Sequence, residues 1–103
     1  MWTPISGIEL QSLLAEEKQK LGEHELAYFE KIEVPLEVAK IDRSGSIEEV
    51  FIVARFKDSV IFYEDVEEGF EISHIDESGL IKEYGVNQFE LRHVVNQLLN
   101  ENT

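Results

Sequence analysis

The sequence contains no cysteine. That absence excludes disulfides, thiolate catalysis and cysteine-based zinc sites. No apolar run approaches the roughly 20 residues that carry a helix across a bilayer. The opening MWTPISGIEL has neither the basic segment nor the long apolar stretch of a signal peptide, so a cytoplasmic protein is expected. Bases are scarce as well. Against 22 Asp and Glu stand 9 Lys and Arg, a formal charge of −13. Such a field repels phosphate backbones and anionic membranes, which argues against nucleic acid and membrane as partners. It attracts basic proteins and speeds their association. The same charge also keeps a small protein soluble.

What is present suits one globular domain. The 103 residues are 43 % hydrophobic and 10 % aromatic, too apolar for a disordered chain. A single domain over 1–103 is expected, as a monomer or weak homodimer. The acids are unevenly placed: from Asp58 to Ile81 there are eight, with no Lys or Arg among them.

Ser6 followed by Glu9 reads as a capping box. Ile8, Leu10, Leu13, Leu14 and Leu21 follow at near-helical spacing, with Gly22 as a stop, which predicts a helix over about 7–21. EHELAYFEKI predicts a short second helix, about 23–30. Pro35 makes the next strand an edge or an irregular one, because proline cannot donate to a ladder. Val34, Leu36 and Val38 then alternate with polar neighbours, as on a half-buried strand.

Asp42-Arg43-Ser44-Gly45 is a turn, since Asp favours its first position and Gly permits positive φ. VFIVARF (50–56) is apolar on both faces and reads as a central strand. Lys57-Asp58-Ser59 reverses the chain into VIFY (60–63). FEISHI (70–75) alternates again, and a second Asp-x-Ser-Gly turn (76–79) leads into LIKEY (80–84). Asn87 with Glu90 repeats the cap logic, and Phe89, Leu91, Val94, Val95, Leu98 and Leu99 predict a helix over about 88–99. Hairpin-length connections exclude a doubly wound parallel sheet. The fold class is α+β: an antiparallel sheet of four or five strands, a meander of hairpins, with the terminal helices on one face.

Several tempting motifs fail. His24-Glu25-Leu26-Ala27-Tyr28 begins like HExxH, but Tyr28 occupies the place of the second histidine that zinc requires. DVEEGFEISHIDE (65–77) resembles a calcium loop in charge alone, its glycine standing fifth rather than sixth. His74 and Asp76 are two apart on a strand and share a face, the arrangement of a carboxylate-oriented base or a metal pair. A histidine at a sheet edge is more often an ordinary surface partner. His93, beside Arg92, falls on the polar side of the last helix. No nucleophile elbow or P-loop pattern occurs, so no catalytic residue, metal ligand or cofactor is assigned.

Surface recognition remains. The expected acidic partner-binding surface comprises Tyr63, Glu64, Asp65, Glu67, Glu68, Glu71 and Glu77. Carboxylates pair with Arg or Lys, and an aromatic supplies rigid contact area. Phe70 is expected in the core, and Tyr63 either joins this surface or ends a strand.

YEDVEEGFEIS (63–73) followed by EYGVNQFEL (83–91) resembles small, acidic, mostly uncharacterised bacterial proteins, some of them similar to immunity proteins. The resemblance covers about a third of the chain and includes no catalytic signature. It implies an inhibitor that docks on a basic toxin surface. That agrees with the charge, because nucleases need basic surfaces to hold their substrates. The alternatives are a small metal-assisted or acid/base enzyme using His74 and Asp76, and a structural subunit that pairs through an edge strand.

One internal likeness stands out. LEVAKIDRSGSIEEV (36–50) and FEISHIDESGLIKEY (70–84) agree at seven of fifteen positions, including Ile41/Ile75, Asp42/Asp76 and Gly45/Gly79. Both read as a strand, an Asp-x-Ser-Gly turn and a returning strand.

Overall fold

The Ser6 hydroxyl accepts the Glu9 N–H at 3.1 Å, and the Glu9 carboxylate accepts the Ser6 N–H at 3.1 Å. The first helix, α1 (Gly7–Lys18), therefore starts with the reciprocal cap its sequence predicts. This computed structural model describes residues 5–43, 45–64, 69–81 and 90–101. Helix α1 stops at Lys18 rather than near 21. The N–H groups of Gln19, Lys20 and Leu21 bond carbonyls three residues back, which tightens the last turn. Helix α2 (Glu23–Ile32) opens with the Gly22 N–H donating to Glu25 Oε1 at 2.7 Å. It runs past residue 30 because Phe29 and Ile32, one turn apart, are both buried.

Five strands follow: β1 (Glu33–Arg43), β2 (Ser46–Phe56), β3 (Ser59–Glu64), β4 (Gly69–His74) and β5 (Leu80–Ile81). Their spatial order is β4-β3-β2-β1-β5, which puts β2, with VFIVARF, at the centre as expected. The β1–β2 register shifts between Glu33 and Glu37. Pro35 lies in that interval, so the strand is irregular where proline withholds its donor. Helix α3 (Leu91–Glu101) closes the chain, with Leu91, Val94, Val95 and Leu98 buried at one-turn spacing. Asn87, Gln88 and Phe89, the expected start of this helix, lie outside the described residues.

The core lies in two clusters, one on each sheet face, and a second register shift, between Ile52 and Ala54 on β2, turns the consecutive Val53 and Ala54 to the same one. Before it, Val50 and Ile52 face Ala39, Ile41, Val60, Phe62 and Ile81. Val53 and Ala54 instead meet Ile61, Tyr63, Phe70 and the helix residues Leu10, Leu14, Phe29, Val94 and Leu98. Helices thus cover one sheet face, as expected. The opposite face holds an apolar cluster of its own.

The likeness between 36–50 and 70–84 extends to the turns but not to the pairing. The first copy is a hairpin in which Arg43 pairs Ser46, with Gly45 at φ +94°. Its Gly45 N–H donates to Asp42 Oδ1 at 3.0 Å. In the second copy Gly79 has φ +84°, and Asp76 Oδ1 accepts from the Ser78 N–H at 2.9 Å and the Leu80 N–H at 3.0 Å. Only glycine takes such a φ without strain.

The strand after the second turn does not return along β4, so the expected meander of hairpins breaks here. Instead Leu80 and Ile81 pair in parallel with Lys40 and Ile41 of β1. A single antiparallel bridge, Ile75 to Ile81, links the end of β4 to β5 and so connects the two edges of the sheet. Ile41 and Ile75, equivalent in the two copies, flank the same Ile81. Lys82, Glu83 and Tyr84 of the expected strand LIKEY lie outside the described residues.

Candidate functional site

The residues expected to form one acidic surface do not share an environment. Tyr63 is 7 % exposed and packs edge-on against Phe70, with ring centroids 5.2 Å apart. The two are direct partners across β3 and β4 on the helix-covered face, so Tyr63 is a core residue and not a docking aromatic. Glu71 is 5 % exposed. It pairs with Phe62, which belongs to the cluster on the opposite face, and strand alternation points Glu71 that way too. Buried Ser73, two residues on, faces the same side.

Glu64 ends β3 opposite Gly69, and Asp65, Glu67 and Glu68 lie outside the described residues. Glu77 is exposed in the second turn. Two of the seven expected surface residues are therefore corrected to buried positions. Alternation along GFEISH could have placed Phe70 and Glu71 on opposite faces. It could not show that both faces are covered.

The pairing of His74 with Asp76 on which the alternative enzyme reading depends does not form. Asp76 is committed to its turn, where Oδ1 also accepts the Ser78 hydroxyl at 2.6 Å. His74 Nδ1 instead lies 3.7 Å from Asp58 Oδ2, in a pair exposed on both sides. His93 Nδ1 accepts the Glu90 N–H at 3.3 Å, just before the first turn of α3. Among the described residues no three His, Asp or Glu side chains gather in the manner of metal ligands.

The charged group that sequence reading passes over is Glu17. It follows Leu10 and Leu14 on the inner stripe of α1 and is itself buried. Its Oε1 accepts the Leu91 N–H at 3.1 Å, and its Oε2 lies 2.8 Å from Lys20 Nζ. The N-terminus of α3 thus takes its acceptor from another helix, where the helix dipole favours a negative charge. Burial alone pushes the Glu17 carboxyl up, but the bonds from Lys20 and Leu91 outweigh it and hold the group below its ordinary value. Its position seven residues after Leu10 was the available signal, because a carboxylate on an apolar stripe must find a donor.

Comparison with known protein families, curated proteins and solved structures finds no match. Among the described residues no helix is long and apolar enough to cross a membrane.

Proposed function

We propose that this chain is a non-enzymatic acidic binding protein that docks a basic protein partner, and that an immunity-like inhibitor of a basic toxin is its specific form. The reading belongs to a cytoplasmic protein. The observation that carries it is the charge: 22 acidic against 9 basic residues in 103. A surplus of that size favours encounter with a cationic surface and opposes a nucleic acid. His74 and Asp76 are engaged separately, which removes support from an enzyme that pairs them.

The test is capture by the immobilised protein from cells of its source at low and moderate salt, followed by identification of what is retained. A basic protein whose retention falls as salt rises is the expected result. No specific partner, or one indifferent to salt, sinks the reading. A toxin gene adjacent to this one, with growth rescued on co-expression, would support the inhibitor form.

A further inference from the structure

The three helices start in the same way. In each, the backbone N–H of the residue just before the helix donates to the side chain three positions on. The Ser6 N–H goes to Glu9 Oε1 at 3.1 Å, the Gly22 N–H to Glu25 Oε1 at 2.7 Å and the Glu90 N–H to His93 Nδ1 at 3.3 Å. Such a bond fixes the chain where it enters the helix. The acceptors differ in one property. A carboxylate accepts throughout the range above about pH 5. An imidazole nitrogen accepts only while it carries no proton, and histidine is the side chain whose charge changes between pH 5 and 8.

Protonation of His93 acts against its cap twice. It turns the acceptor into a donor that faces the Glu90 N–H, and it places a positive charge where the helix dipole favours a negative one. The neighbouring charges are engaged with one another. Arg92 Nε bonds Glu90 Oε2 at 2.6 Å, beside the imidazole on the same element. Helix α1 brings Glu17 and Lys20, paired at 2.8 Å, with Glu17 also on the Leu91 N–H. Helix α2 and strand β4 meet α3 with apolar side chains of the helix-side cluster, Phe29, Ile32, Phe70 and Ile72. Glu17 is held below its ordinary value, so the bond to Leu91 outlasts the bond to Glu90 as pH falls.

We infer that the entry to α3 is a proton-operated latch, in which neutral His93 holds the Glu90 N–H and its protonation in mild acid lets go. The sign is fixed by the geometry. The bond is present above the pH at which the imidazole takes up its proton and is lost below it. The starts of α1 and α2, capped by carboxylates, do not respond over that range, and Leu91 stays on Glu17. This device does not depend on the proposed partner.

Amide exchange, followed by NMR in isotopically labelled protein between pH 7.5 and 5.5, tests it. After correction for the intrinsic pH dependence of exchange, protection of the Glu90 amide should fall about fivefold, the equivalent of one typical cap. Protection of the Ser6, Gly22 and Leu91 amides should hold, and the midpoint of the fall should coincide with that of the His93 imidazole resonances. His93→Gln keeps a side-chain acceptor at every pH and should abolish the fall. Unchanging Glu90 protection in wild type, or a midpoint apart from that of His93, overturns the latch. So does an equal fall in His93→Gln, which would place the response with His24 or His74.

Discussion

The Glu17 carboxylate accepts the backbone N–H of Leu91, 74 residues away in sequence, and so ties the last turns of α1 to the first turn of α3. Glu17→Gln keeps the shape but loses the charge that Lys20 and the helix terminus both favour. It should destabilise the fold by about 1.5–3 kcal/mol, the range for a hydrogen bond to a charged group. Amide exchange at the start of α3 should rise before that of β2. The pH dependence has a definite sign. A carboxyl held below its ordinary value contributes stability that is present above the unfolded-state value and lost as pH falls through the folded one. Urea unfolding of wild type and Glu17→Gln between pH 3 and 7 should therefore converge at the acid end. Parallel curves across that range would count against the role given to Glu17.

The two Asp-x-Ser-Gly turns use their aspartates alike but sit in unequal surroundings. Asp42 Oδ1 receives the Gly45 N–H, and Asp76 Oδ1 receives the N–H groups of Ser78 and Leu80 and the Ser78 hydroxyl. Long paired strands also hold the first turn, while β5 is two residues long. Asp76→Ala should cost about 1–2 kcal/mol and Asp42→Ala about half that. Exchange of the Leu80 and Ile81 amides should rise selectively in the Asp76 variant. Equal losses in the two variants would mean that the turns are equivalent and that β5 does not depend on Asp76.

Local chemistry explains why those turns were legible. An aspartate, a glycine and two flanking residues determine a turn without help from the rest of the chain. The Ser6–Glu9 cap, the apolar faces of VFIVARF and the stripe of α3 were readable for the same reason. The fate of β5 was not, because LIKEY pairs as well with β4 as with β1 in sequence terms, and only the curl of the whole sheet decides. The site failed similarly. Alternation says that Phe70 and Glu71 face opposite sides, but covering both sides takes helices and strands distant in sequence. Glu17 was missed because its partner is a backbone group, which carries no sequence signature.

Tyr28 offers a test in the stabilising direction. Its hydroxyl is buried with no hydrogen-bond partner among the described residues, and burial pushes its pKa up. The ring packs 6.2 Å from Phe56, an apolar contact that phenylalanine preserves. Tyr28→Phe removes the unsatisfied donor and should be neutral or stabilising by up to about 1 kcal/mol. A urea midpoint for Tyr28→Phe well below wild type would show that the hydroxyl has a partner after all.

Glu71 and Glu77 separate a buried carboxylate from an exposed one within a single stretch of the sequence. Glu71 is directed toward the cluster around Phe62 and Ile81, and Glu77 is exposed at the turn. Glu71→Lys puts a longer side chain of opposite charge where the fold holds a carboxylate out of water. The expected loss is about 2–4 kcal/mol, enough to threaten a small domain. Glu77→Lys changes a solvated position and should stay within about 0.5 kcal/mol of wild type. Soluble expression and thermal melts of the two variants decide the matter, and Glu71→Gln, close to the native shape, guards against a fault peculiar to lysine. Were Glu71→Lys as stable as Glu77→Lys, Glu71 would return to the surface, and with it the acidic face that runs from residue 63 to 77.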